Sequence, residues 1–210
     1  MEKVDVNKTI TLSEHYTLGE LTKTSTGMMN IPSRVSIENM KRVCGWLEAL
    51  RCRYNQRYVI GGSSSSPKLG EDRRGLNERQ VSPSSDHPEV TAAPSSDHPA
   101  HPGTPPNLGG EKDTEEPIII SSGYRSPEVN RRVGGSATSN HLTGCAVDIR
   151  VAGIEQALRY AVILMDYADE TRQDYDELLI EQNRSGRYWV HFAVRPPKSQ
   201  NRRKTAMLSV

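Results

Sequence analysis

His141, Asp148 and His191 are the residues of this chain whose types and spacing invite metal chemistry. Two imidazoles and one carboxylate fill three positions of a tetrahedral zinc and leave the fourth to water, as catalytic rather than structural sites require. Spacing alone does not separate that reading from an ordinary polar pair between a loop histidine and a strand aspartate. The parity of the last two expected strands adds an independent argument. Leu178, Ile180, Val190, Phe192 and Val194 fall on even positions and should share the core face. Glu177, Leu179 and Glu181 then join Trp189 and His191 on the opposite face, which brings a carboxylate within reach of a histidine-bound metal. A solvated sheet face is the plainer explanation of those glutamates. Trp189 among them argues instead for a walled cleft, because a large exposed indole needs a reason.

The elements that must position these groups are marked by their punctuation. From Ser36, the residues Ile37, Met40, Val43, Cys44, Leu47 and Leu50 recur at steps of three and four, which predicts an amphipathic core helix to about Arg51, with Pro32 limiting it on the left. Thr17 to Leu21 permits a short helical turn. Pro117 to Ser122 is a β-branched run bounded by Pro and Gly and reads as a buried strand. Ser126-Pro127 opens a short helix that Gly134-Gly135 closes. Cys145 to Val151 alternates, so Asp148 should face away from the apolar side. A helix from Ile154 to about Ala168 follows, then strands from Glu177 to Gln182 and from Tyr188 to Val194 joined by a hairpin turn at Asn183-Arg184-Ser185-Gly186. This order predicts an α+β fold, with a small, mostly antiparallel sheet and flanking helices.

The chain has 210 residues, somewhat more than the roughly 100 to 200 of one domain, which suggests one core carrying an insertion. Gly, Pro and Ser make up 24 of the 50 residues from Gly61 to Gly110, too few apolar groups remain there to order a fold, and the segment is expected to be a long disordered insertion. The resulting division is 1–52 for the first part of the domain, 53–116 for the insertion, 117–194 for the zinc-binding part and 195–210 for a basic tail. Within the insertion Pro83 to Pro88 recurs as Pro94 to Pro99; the histidines there, with His101, read as a solvated duplication in preference to a metal-sequestering tract. With 27 Lys and Arg against 26 Asp and Glu, the net charge of +1 offers no field for nucleic acid or an anionic membrane surface. No apolar run approaches a membrane span and the first residues lack a secretory core, so a protein cytoplasmic as synthesised is expected. Cys44, Cys52 and Cys145 form no disulfide framework and read as free thiols.

Ser122-Gly123-Tyr124-Arg125-Ser126-Pro127, the stretch from Gly134 through Ser139, His141 and Gly144 to Asp148, and Trp189-Val190-His191 resemble, in that order, a known family. It is that of the zinc D-alanyl-D-alanine carboxypeptidases and their phage endolysin relatives, with the Hedgehog/DD-peptidase fold. The resemblance spans about residues 10 to 52 and 115 to 194, and the family has a short connection where this chain carries its insertion. It implies zinc on His141, Asp148 and His191, a substrate-anchoring cation at Arg125, and a substrate or ligand-loop contact from Ser139 whose local alternative is turn capping. Trp189 would line the substrate cleft. Several relatives place an acid three residues before the last histidine ligand, where this chain has Tyr188. Glu181 matches the acid that closer relatives carry in the preceding strand and agrees with the parity argument, with Glu177 as the second candidate for general base. The implied activity is hydrolysis of peptidoglycan stem peptides containing D-amino acids, by a monomer acting on the wall after release or as part of a phage particle. A zinc-stabilised module that binds the wall, or builds a phage particle, without cutting is the alternative.

Overall fold

A computed structural model describes residues 10–59 and 115–210. The repeated hexapeptides, His87, His98, His101 and all but the ends of the expected insertion lie outside the described residues. The start of the chain forms one capped helical turn, α1 (Leu18–Leu21), in which Thr17 and Glu20 complete a capping box. Helix α2 (Arg34–Tyr54) starts where Ser33 accepts the Ser36 amide on its hydroxyl at 3.1 Å. It outruns its expected end at Arg51 because Tyr54 prolongs the stripe of Val43, Leu47 and Leu50 and lays its ring edge-on to Tyr160 at 4.9 Å. A π-helical turn, Asn55–Val59, follows, so the helix passes straight through the boundary expected at residue 52. The Asn55 side chain then ties this end to the returning chain by accepting the Glu116 amide at 2.6 Å and donating to the Glu116 carbonyl at 3.0 Å.

After residue 114 come β1 (Ile120–Ser122), α3 (Pro127–Arg132), β2 (Ala146–Arg150), α4 (Ile154–Thr171), β3 (Glu177–Gln182), β4 (Tyr188–Ala193) and β5 (Lys204–Ser209). The strand expected from Pro117 is thus only three residues long. Pro117 has no amide to donate, and the pairing of β1 with β2 slips between Ile120 and Ser122. The five strands lie in the order β1-β2-β4-β3-β5, antiparallel except for β3 beside β5. The sheet is therefore mixed, and residues 204–209 are its edge strand where a basic tail was expected. Lys204 to Ser209 carries no clean alternation and is mostly exposed, so nothing in its pattern betrays a strand. Partners supply what the pattern lacks: the Lys204 amide reaches the Asp176 carbonyl and the Tyr175 hydroxyl meets that of Thr205 at 2.6 Å.

One sheet face is the core. Leu178 lies opposite Phe192 and Ile180 opposite Val190, as parity requires, and all four are buried with Val147 and Ile149. Helices α2 and α4 cover them through Trp46, Leu47, Tyr160 and Leu164, with Trp46 tilted on Phe192 at 5.2 Å. Each such side chain contributes roughly 1.5 to 3 kcal/mol by leaving water. The other face carries Asp148, His191 and Leu179 in register across β2, β4 and β3. The three cysteines carry no disulfide. Among the described residues no helix is long and apolar enough to cross a membrane.

Candidate metal centre

Asp148 and His191 are direct cross-strand neighbours on β2 and β4, and Ser122 of β1 flanks Asp148 on its other side. Directly opposed residues project to the same face, so the strands alone bring two of the three candidate ligands together. His141 arrives from a one-turn 3-10 helix, Asn140–Thr143, whose amide at His141 is capped by the Ser139 hydroxyl at 3.3 Å. Capping is therefore the contact Ser139 makes here. The turn ends at Gly144 in the left-handed region, φ 72°, where a Cβ would sit 2.5 Å from the Ser36 carbonyl oxygen of α2. Only glycine satisfies both the dihedral and the close approach. Asn39 of α2 donates to the Thr143 carbonyl at 2.7 Å, so the core helix also holds the ligand-bearing turn.

His141, Asp148 and His191 are nearly enclosed, at 2%, 7% and 9% exposure. His141 Nε2, Asp148 Oδ1 and His191 Nδ1 lie 3.3, 3.2 and 2.9 Å from one another. Zinc bonds of about 2.0 to 2.1 Å in a tetrahedron give ligand-to-ligand edges of about 3.3 Å, so the triad is spaced as such a site requires. The remaining atoms fit as well. A carbonyl oxygen only accepts, so the 2.6 Å contact of His141 Nδ1 with the Gly123 carbonyl places the proton on Nδ1 and leaves the Nε2 lone pair free to ligate. Gly123 in turn packs against α1 at a distance that only a residue without a Cβ allows, since one would lie 2.3 Å from the Leu21 carbonyl oxygen.

Charges are arranged to keep the centre ionised. Burial disfavours the Asp148 carboxylate, but its close contacts with the His141 and His191 rings outweigh burial and hold its pKa well below the usual range. For His191 burial opposes the charged form, and contacts with Asp148 and Glu177 overcome it, raising the pKa to about 9. A metal at Nδ1 must displace that proton. Asp148 Oδ2 takes a 2.6 Å hydrogen bond from Arg125 Nη2, while Arg125 Nε donates to Ser122 Oγ at 2.9 Å. The cation expected to anchor substrate thus braces a candidate ligand, and its flank borders a 190 Å³ cavity with Ser122, Tyr124 and Lys23.

On the other side of the triad, a 290 Å³ cavity is lined by His191, Ser139, Asn140, Glu177, Glu181, Arg195 and Arg202. Both glutamates that parity singled out therefore share a cavity with a candidate ligand. Trp189 does not line it. It instead borders a 690 Å³ cavity with Arg150, Arg187, Tyr188 and Ser121, at the far end of β4. Glu177 faces His191 Nε2 at 3.6 Å, accepts from Asn140 at 3.1 Å and meets Arg202 at 3.0 Å and Lys204 at 3.5 Å. The His191 imidazolium lowers its pKa most, burial opposes, and the charges of Arg202 and Lys204 help to bring it to about 2.

Asp176, which no motif marks, anchors this side. Its carboxylate is wholly buried and takes two hydrogen bonds from the Arg202 guanidinium at 2.8 and 2.7 Å, one from Asn140 at 2.9 Å and an ion pair from Arg195 at 2.8 Å. Its only sequence signal was an acid immediately before a strand. Asp176→Asn is expected to destabilise the protein by about 3 kcal/mol, the low end for breaking a buried ion pair. Burial raises the Asp176 pKa, yet Arg202, Asn140 and Arg195 hold it far below the ordinary value. A lowered folded-state pKa contributes stability that is complete above the unfolded-state value, about 3.9, and drains away as pH falls below it. Urea midpoints measured from about pH 5 to pH 2 should consequently fall less steeply in Asp176→Asn than in the wild type. Parallel acid limbs would remove Asp176 as the source.

Residues 110–174 match the family model of Peptidase M15. The matched stretch holds Arg125, Ser139, His141 and Asp148 and stops short of Glu177, Glu181, Trp189 and His191. It supports that peptidase family without choosing a member of it. Peptidases of the family are typically zinc-dependent, in keeping with the His-Asp-His triad. No curated protein matches the chain.

Proposed function

We propose that this protein is a zinc metallopeptidase that hydrolyses peptidoglycan stem peptides containing D-amino acids. The observation that carries the proposal is the triad of His141 Nε2, Asp148 Oδ1 and His191 Nδ1 at tetrahedral-edge spacing, partly inside the stretch that matches a peptidase family. Zinc held by these atoms would supply Lewis acidity, lowering the pKa of water and polarising a carbonyl. The residues around it supply the rest. Glu181, on the cavity wall beside His191, accepts the proton of the attacking water and delivers it to the leaving amine. Arg125, braced on Asp148 and open on one flank, offers its fork to a substrate carboxylate or to the oxygen that gains charge. Ser139, besides capping the His141 turn, lines the same cavity as Glu181 and would meet the peptide there, while Trp189 would wall a more distant part of the cleft.

A terminal D-Ala-D-Ala bond and an internal L-Ala-D-Glu bond both fit this constellation. The test is to load the protein with zinc, incubate it with purified peptidoglycan and weigh the released products. Free D-alanine marks a carboxypeptidase and released stem peptides mark an endopeptidase. Stoichiometric zinc with no product from any wall peptide, together with retention on peptidoglycan, would replace the peptidase by a wall-binding module, whose one sequence argument is Tyr188 in the place of an acid.

A further inference from the structure

We infer that Glu177 is a positioning residue for His191, clamped by the C-terminal strand, and that it leaves proton transfer to Glu181; the inference rests on the zinc-peptidase reading above. Of the two ring nitrogens of His191, Nδ1 faces His141 and Asp148, and Nε2 faces the Glu177 carboxylate at 3.6 Å. That is long for a hydrogen bond but close enough for an acceptor-only group to favour the proton on Nε2, which frees Nδ1 to ligate. His141 shows the same division of labour, with Gly123 as its outer acceptor. Metal-ligating histidines are commonly oriented through their second nitrogen in this way.

The surroundings of Glu177 suit it to hold rather than to shuttle. A carboxylate has about four lone-pair sites. Asn140 and His191 face Oε2, and Arg202 and Lys204 face Oε1. Two of these groups come from residues 195–210. Lys204 is set by parallel pairing, opposite Glu177 in the register of β3 and β5. Arg202 is set by buried Asp176, which receives its amide as well as its guanidinium. Glu181 differs. It lies opposite Trp189, lines the cavity, and takes no ion pair among the described residues.

The test uses the full-length protein with Glu177→Gln, Glu177→Asp, Arg202→Gln, Lys204→Gln and Glu181→Gln. Zinc affinity is measured by chelator competition, and turnover on wall peptide is measured at saturating zinc. Glu177→Gln should bind zinc about 10- to 100-fold more weakly, the usual cost of losing an outer-shell partner. Its zinc-loaded form should keep turnover within about tenfold of wild type, and Glu177→Asp should recover most of the affinity. Arg202→Gln and Lys204→Gln should weaken zinc in the same direction, and Glu181→Gln should not. Wild-type zinc affinity in Glu177→Gln overturns the inference, as does a loss of turnover at saturating zinc equal to that of Glu181→Gln. Should Glu177→Gln not fold, unchanged affinity in both Arg202→Gln and Lys204→Gln overturns it equally. Failure of the wild type to hold zinc would instead remove the peptidase reading itself.

Discussion

His141→Ala is expected to purify without zinc and to lose turnover by about a thousandfold or more, since several kcal/mol of transition-state stabilisation leave with the metal. The remaining Asp148 and His191 would offer only two ligands where a catalytic zinc takes three. The fold should survive. The substitution orphans the Gly123 carbonyl, at about 1 to 3 kcal/mol, but Asp148 keeps Arg125 and the turn keeps its Ser139 cap and its Asn39 anchor. Metal content by mass spectrometry beside a urea unfolding curve separates loss of ligation from loss of structure. One zinc per chain in the folded variant would show that the triad is not the metal centre.

Glu181→Gln is the second large effect. The substitution preserves shape, removes the ionisable group, and lies outside the triad, so zinc should bind as in the wild type while turnover falls at least about a hundredfold. That figure is the lower end of a general-base contribution, and Glu181 lies on the wall of the 290 Å³ cavity that His191 also lines. Wild-type turnover in Glu181→Gln, with collapse in Glu177→Gln at saturating zinc, would transfer the base to Glu177.

Much of this geometry was legible because it depends on periods of two and between three and four. The even and odd positions of β3 and β4 alone sort Leu178, Ile180, Val190 and Phe192 from Glu177, Leu179, Glu181, Trp189 and His191, and the observed register repeats that division. The α2 stripe, the Ser126-Pro127 helix start and the glycine after the ligand turn are equally local, since each reflects what one backbone conformation admits. The end of α2 is not legible locally, because Tyr54 is held by Tyr160, a residue 106 positions away that no window reaches.

Sequence periodicity is enough to say which side chains share a face, because side-chain direction along a strand is a property of the backbone. Which partner each polar group on that face meets depends instead on how distant segments pack. Glu177 and Glu181 are indistinguishable by parity, each two residues from Leu179, which lies opposite His191. They part because β5 docks in parallel beside β3 and delivers Lys204 and Arg202 to one of them. Arg125 likewise reads as a free cation until β1 and β2 pair and set Asp148 against it. Ion pairs between distant segments follow from packing and carry no local period, so the neighbours that give a carboxylate or a guanidinium its role emerge only when the strands have met.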